Sequence, residues 1–183
     1  MTKYLILIRG INVGGKNKVS MATLREMLED LEFKNVSTYI NSGNVLLEST
    51  KNAREVKNEI ESALPKNFKL DTALIKVHVL THERLRKVIS DKPHSFGDAP
   101  ETYYSDAIFL MDVSIDEAVV VFSPREGVDA IWPGDGVIYS QRLGEKRTQS
   151  RLSKIVGTPV YKSMTIRSWK TTLKLLDLLE KSI

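Results

Sequence analysis

No cysteine occurs in the chain, so disulfides, thiol catalysis and thiolate metal sites are excluded together. No apolar run approaches the length that spans a membrane. The opening Met1-Thr2-Lys3 leads directly into Tyr4 to Ile8, without the basic start and cleavage site of a signal peptide. These absences set the expectation of a cytoplasmic protein with no membrane partner. Histidine is scarce, being limited to His78, His82 and His94. His78 falls in a strand pattern and His82 just past its end, so the two rings do not share a helical face; with no third ligand indicated, no metal site is expected. Ser-x-x-Lys and Gly-x-Ser-x-Gly patterns are also missing, which leaves a serine nucleophile without its usual context. The two tryptophans, Trp132 and Trp169, read as core or hairpin residues rather than stacking platforms.

A further absence concerns charge. The first twenty-five residues hold Lys3, Arg9, Lys16, Lys18 and Arg25 and no acid. From Arg142 to Lys170 the chain carries Arg142, Lys146, Arg147, Arg151, Lys154, Lys162, Arg167 and Lys170 against the single acid Glu145. Between these stretches acids dominate, although the net charge is only +4. Two basic segments that met in space would make a face suited to phosphate; kept apart, they are ordinary solvated charge.

With 183 residues, 42% of them hydrophobic, there is material for one large core or two small ones. Tyr4 to Ile8 is a continuous apolar run, as in a central strand, and it stops at Arg9-Gly10. Leu24, Met27, Leu28 and Leu31 recur at helical spacing behind Ser20, a suitable N-cap. Val36 to Ile40 and Asn44 to Leu47 are β-rich runs around Asn41-Ser42-Gly43, which is hairpin chemistry. Val56, Ile60, Ala63 and Leu64 predict a second helix, stopped by Pro65, and the alternation Leu74 to Val79 predicts a fourth strand. The order β-α-β-β-α-β is the ferredoxin-like pattern.

The remainder repeats the theme less cleanly. A short helix through Leu85, Val88 and Ile89 leads to a loop from Lys92 to Ser105; a strand at Ala107 to Met111 precedes a helix begun by Ser114. A hairpin follows around Pro133-Gly134-Asp135-Gly136, and helices are expected to fill the tail, the last presenting Ile166, Trp169, Leu173, Leu176 and Leu179 on one face. Thr165 reads as its N-cap, with Arg167 and Ser168 in the first turn. The fold class is therefore α/β (an α+β sandwich): a ferredoxin-like subdomain over 1–82 and a second, degenerate α/β subdomain with C-terminal helices over 83–183.

Arg9-Gly10-Ile11-Asn12-Val13-Gly14-Gly15-Lys16-Asn17-Lys18, Met21, Leu24 and the run Thr38 to Val45 resemble the signature of a family, domain of unknown function 1697. The likeness extends to Ser150-Arg151-Leu152 and to Thr165 to Thr171, although Ser168 and Lys170 stand where that family usually carries Asn. The resemblance implies an α/β fold related to the ferredoxin-like sandwich and brings no established activity or cofactor.

Chemically, the loop from Gly10 to Lys18 combines glycines, whose backbone N–H groups can approach an anion, with Arg9, Lys16 and Lys18 to neutralise it. The glycines serve equally well if only the turn needs them. The run also comes within one residue of a nucleotide P-loop, and Ile108 to Asp112 resembles a strand ending in a magnesium-facing aspartate. However, Asn17 replaces the metal-binding hydroxyl and the helix signal waits until Ser20, which argues against NTP hydrolysis. In a ferredoxin-like unit the loop after strand one and the hairpin after strand two end at the same edge. Arg9, Gly10, Asn12, Gly14, Gly15, Lys16 and Lys18 are thus expected beside Asn41, Ser42 and Asn44, with Arg151 and Arg167 as further cations. Asn12 and Asn41 either contact a ligand or tie the loop to the hairpin. The reading is a binding module for a nucleotide or nucleic acid. Two others stand beside it: an enzyme acting on a phosphorylated or carboxylated metabolite, and a protein-interaction or structural module. Any cofactor is left open.

Overall fold

Alternating and continuous apolar runs of the lengths found here condense into two small sheets. A computed structural model describes residues 1–71, 73 and 75–181, so Leu74 of the expected fourth strand lies outside the described residues. The chain divides into two compact units, Met1–Arg86 with Lys174–Ile183, and Lys87–Leu173. The division falls four residues beyond the expected boundary, and the last ten residues group with the first unit rather than the second.

In the first unit β1 (Thr2–Arg9), α1 (Met21–Asp30), β2 (Lys34–Tyr39), β3 (Asn44–Ser49), α2 (Ala53–Asn67) and β4 (Lys76–Thr81) follow one another, and α3 (His82–Ser90) begins at once. The strands form an antiparallel sheet in the order β2-β3-β1-β4. β1 is central, and both of its faces are buried: Tyr4, Ile6 and Ile8 on one, Leu5 and Leu7 on the other. That is why it reads as an unbroken apolar run rather than an alternation. Leu24, Met27 and Leu28 of α1 and Val56, Ile60, Ala63 and Leu64 of α2 pack on the Tyr4 face with Val45, Leu47 and Val77.

Both helices start at caps. The Ser20 hydroxyl accepts from the N–H of Thr23, and Asn52 forms a reciprocal capping box with Glu55. Pro65 does not stop α2, which continues through Asn67. A proline in the last turn removes one intrahelical bond and bends little that follows.

The second unit contains β5 (Tyr103–Leu110), α4 (Ile115–Val119), β6 (Asp129–Pro133), β7 (Val137–Leu143) and β8 (Met164–Ser168), ordered β6-β7-β5-β8. Three short 3-10 turns, Gly144–Gln149, Leu152–Gly157 and Pro159–Ser163, make the connection from β7 to β8. Ile108, Leu110, Ala118, Ile138, Ile155 and Met164 form the core on one sheet face. On the other, Phe96 meets Trp132, Tyr139 and Trp169 edge-on with ring centroids 5.9, 5.3 and 5.0 Å away, and the Tyr139 hydroxyl donates to Val88 O at 2.6 Å.

Three expectations for this unit are corrected. The strand expected at Ala107 begins at Tyr103, because the polar Tyr103 to Asp106 still pairs with Ser140 to Leu143. The tail is not all helix: Met164 to Ser168 is an edge strand paired with β5, so Thr165, Ile166 and Arg167 are strand residues. α5 (Trp169–Lys181) starts only after Ser168, whose hydroxyl accepts from the N–H of Thr171 at 3.1 Å. Two neighbouring hydroxyl residues offered equivalent caps, and pairing with β5 selects the later one. Leu173, expected on the buried face of this helix, is exposed, and Thr172 and Leu175 are buried instead.

Candidate functional site

The β1–α1 loop folds on itself. Gly14 and Gly15 have φ of +58° and +74°, Lys16 N–H donates to Val13 O at 3.0 Å, and Val13 and Lys16 form an antiparallel bridge. This is the pattern of a type I′ turn, which demands positive φ at both central positions. A Cβ built at either glycine meets nothing within 4 Å, so the backbone conformation alone accounts for the pair. Asn12 and Asn17, at φ +54° and +49°, close the base through Asn12 N–H to Asn17 O at 3.0 Å. The Asn17 side chain donates to Gly10 O and accepts from the N–H of Asp71. The result is a small hairpin set on the end of β1, with α1 starting only at Met21. A phosphate-gripping loop that runs directly into a helix is a different construction.

Loop and β2–β3 hairpin stand side by side, as the topology requires. Asn12 Nδ2 donates to Val19 O and to Asn41 O, both at 2.9 Å, while Asn12 Oδ1 accepts from the N–H of Val19 at 2.8 Å. Both Asn12 amide protons are therefore used in tying the loop to α1's approach and to the hairpin. Asn44 is fully buried, its Nδ2 donating to Tyr39 O at 3.0 Å and to the Ser42 hydroxyl at 2.8 Å. Of the amides expected to face a ligand, Asn12 and Asn44 are thus committed to local structure, and Asn41 is exposed. Gly43 sits at φ +76° with its Cα against Ile8; an added Cβ would lie 2.6 Å from Ile8 O. Ile40 beside it holds φ +50° while half exposed, a strained state for a β-branched residue.

Asn12, Gly15, Lys18, Val19, Ser20, Met21 and Asn41 line a depression of about 520 Å³. Val19, Ser20 and Met21 were not among the expected site residues; the N-cap signal at Ser20 is what could have pointed to them. Lys16 and Lys18 are exposed, and neither enters an ion pair among the described residues. Arg9 is half-buried at the end of β1, opposite Lys76 in register.

Arg151 and Arg167 belong to the second unit. Arg167 is nearly buried, and its Nη1 donates to the Thr165 hydroxyl at 3.1 Å and to Ile166 O at 2.8 Å. Burial pulls its pKa down to about 10, so it stays charged at neutral pH. The first-turn role expected of it is lost with the helix start. Arg151 donates its backbone N–H to Asp129 Oδ2 at 2.8 Å. Burial pushes the Asp129 carboxyl up, but hydrogen bonds from Arg151, Ser150 and Arg125 outweigh it and leave the pKa below the ordinary value. Asp106 is raised by burial, against the opposing charge and hydrogen bond of Arg142, whose Nη2 is 3.2 Å from Asp106 Oδ2. Among the described residues no group of three His, Asp or Glu side chains could hold a metal ion. His82 lies 3.4 Å from Glu180, and His94 2.8 Å from the Ser95 hydroxyl. No described helix is long and apolar enough to cross a membrane.

Two four-stranded antiparallel sheets with one strand order, each covered by helices or 3-10 turns, define an α+β protein of the ferredoxin-like kind, bearing a tied loop–hairpin corner on the first sheet. The chain belongs to the family described as protein of unknown function (DUF1697), which matches residues 1–139 and so spans the corner but not Ser150–Leu152 or Thr165–Thr171. Among solved structures, a conserved bacterial protein from Streptococcus pneumoniae is similar in fold and sequence. It is 27% identical with a TM-score of 0.84, over 97% of this chain and 98% of that one. No curated protein matches the chain.

Proposed function

We propose that this chain is a binding module for a phosphate-bearing ligand, a nucleotide or nucleic acid, acting in the cytoplasm through the corner between the β1–α1 loop and the β2–β3 hairpin. The observation that supports the reading is the depression of about 520 Å³, where Lys18, backbone of Gly15, the start of α1 and Asn41 border one space. That volume lies in the range of small-molecule sites, roughly 300–1,000 Å³. Lys16, Lys18 and Arg9 supply positive charge, and Gly10, Gly14 and Gly15 keep the backbone open to an anion. Asn41 and Ser42 offer polar contacts from the hairpin, while Asn12 and Asn44 hold the corner in shape. In this reading the 1–82 subdomain carries the ligand.

Thermal-shift titration with inorganic phosphate, AMP and ATP tests the proposal. A ligand at 100 times its Kd stabilises the folded state by about 2.7 kcal/mol. We expect Lys18→Ala to remove the shift while changing the ligand-free stability by no more than about 0.5 kcal/mol, because exposed cations contribute little to folding. Absence of any shift with all three compounds at low salt would sink the reading.

A further inference from the structure

A different corner, in the second unit, places an exposed aromatic ring among cations. At the start of β5, Tyr104 is 50% exposed and Tyr103 37% exposed. Tyr104 lies directly opposite Arg142 of β7, so both side chains share one sheet face. The chain then turns back over this edge. Gly144 N–H donates to Thr102 O at 2.8 Å, and a Cβ at Gly144 would stand 3.0 Å from that carbonyl oxygen and 3.5 Å from Tyr104 Cε2. Position 144 therefore lies beside the tyrosine ring, at ordinary contact distance for a Cβ. Arg147, in the 3-10 turn that follows, sits with its guanidinium carbon 5.6 Å from the Tyr104 ring centre.

Charge at this corner is divided unequally. Arg142 is bound to Asp106. Lys146 and Arg147 are exposed and enter no ion pair among the described residues. An exposed ring with one cation over it, and a second cation next to that one in the chain, is what recognition of a nucleic-acid single strand requires: a platform for a base and positive charge for the phosphates on either side. A duplex offers its bases no such access. A peptide ligand would leave the two cations without partners unless it were acidic.

We propose that Tyr104, Arg147 and Lys146 form a stacking site for one base of single-stranded nucleic acid. Arg147 swings from the ring to a phosphate, or shares the ring with the base by cation–π contact. The site is independent of the depression in the first unit, and its ligand class is narrower than the one proposed there.

The test is fluorescence anisotropy with a 5′-labelled single-stranded RNA 12-mer of mixed sequence at 50 and 200 mM salt. Stacking of one base on an aromatic residue is worth about 1–3 kcal/mol, which is a 5- to 150-fold change in affinity. Tyr104→Ala is therefore expected to weaken binding by about that factor, and Tyr104→Phe, which keeps the ring, to restore it. Arg147→Glu weakens binding and flattens the dependence of log K on log salt by about one phosphate contact. The exposed position of Arg147 makes it a variant that folds even if Tyr104→Ala does not. The proposal is overturned if the Tyr104→Ala protein, shown to be folded by its Tm, binds the 12-mer as tightly as the parent. It is equally overturned if a 12-base-pair duplex binds as tightly as the single strand, if an acidic peptide alone is retained, or if the parent does not bind at 50 mM salt. AMP thermal shifts read the first unit separately: Tyr104→Ala leaves them unchanged, whereas Lys18→Ala abolishes them.

Discussion

In the first unit the return from β3 to β4 is made by α2, fifteen residues closed by a capping box at Asn52 and Glu55. In the second unit the same return, from β7 to β8, is made by three 3-10 turns with no side-chain cap on any of them. The strand order is nevertheless the same, with the last strand beside the first and the two middle strands forming a hairpin. A crossover has only to carry the chain back across one sheet face and bury something apolar there. α2 buries four side chains and the 3-10 segments bury Leu152 and Ile155. Topology is therefore the shared property, and helical content is a local means of meeting it.

The comparison can be broken most severely at one glycine in each unit. Gly43 and Gly97 both hold φ +76°. At Gly43 an added Cβ would lie 2.6 Å from the backbone oxygen of Ile8 in the central strand. At Gly97 it would run into Trp169 Cδ1, in a ring already packed by Phe96 and Tyr139. The left-handed conformation alone costs a non-glycine residue about 1–2 kcal/mol, and a shift forced on packed neighbours typically adds about 1–3 kcal/mol. Gly43→Ala and Gly97→Ala are each expected to destabilise by about 2–5 kcal/mol in urea denaturation. Gly14→Ala, with open space around it, should show only the conformational cost. Equal values for Gly43→Ala and Gly14→Ala would remove the distinction between a glycine required by contact and one required by conformation.

The first unit was legible because its signals are local and agree with one another: period-3.6 apolar spacing behind Ser20, β-rich runs around Asn41-Ser42-Gly43, and a double-sided central strand. The loop–hairpin contact followed from topology, not from any residue in it. β8 was hidden for a physical reason. Met164-Thr165-Ile166-Arg167 has two apolar residues, one on each side of Thr165, and Arg167 is buried on the opposite face to them, so the alternation is apolar against polar with both faces covered. A following run rich in leucine then pulls the reading toward a helix that starts too early. The roles of Asn12 and Asn44 were undecidable from sequence, because an amide that ties backbone and an amide that faces a ligand look alike until their protons are counted.

A smaller effect separates the two crossovers by dynamics. Backbone amides protected by a packed helix exchange only through larger openings, whereas short, uncapped turns open locally. Hydrogen exchange at neutral pH should therefore be slower for residues 56–67 than for residues 146–163, by at least about tenfold, or roughly 1.4 kcal/mol in opening free energy. Equal protection would mean that the 3-10 segments are held as firmly as α2 and that their buried Leu152 and Ile155 suffice.

The smallest effect expected is in the pH dependence of stability, and it sharpens the comparison because it comes from the second sheet. Asp106 and Asp129 flank Arg142 on one face, Asp106 on β5 and Asp129 on β6, yet their carboxyl pKa values move in opposite directions. Asp129 is lowered in the folded state: burial works against its charge, and the hydrogen bonds from Arg151, Ser150 and Arg125 prevail. The unfolded chain then binds the Asp129 proton more readily than the folded one, so this stabilisation is present above the ordinary aspartate pKa and is lost as pH falls through the lowered value. Asp106 is raised by burial despite Arg142, so the folded chain keeps the proton longer and stability falls as pH climbs from the ordinary value through the raised one. Thermal midpoints measured from pH 3 to 7 should show the acid-side loss reduced in Asp129→Asn and the decline on the rising side reduced in Asp106→Asn. The slopes decide, since Asp106→Asn also removes the ion pair to Arg142 and lowers the whole curve. Unchanged slopes in both variants would mean that Arg142 and water relieve the two carboxylates equally, and that the second sheet tolerates its buried polar face without any linkage to protons.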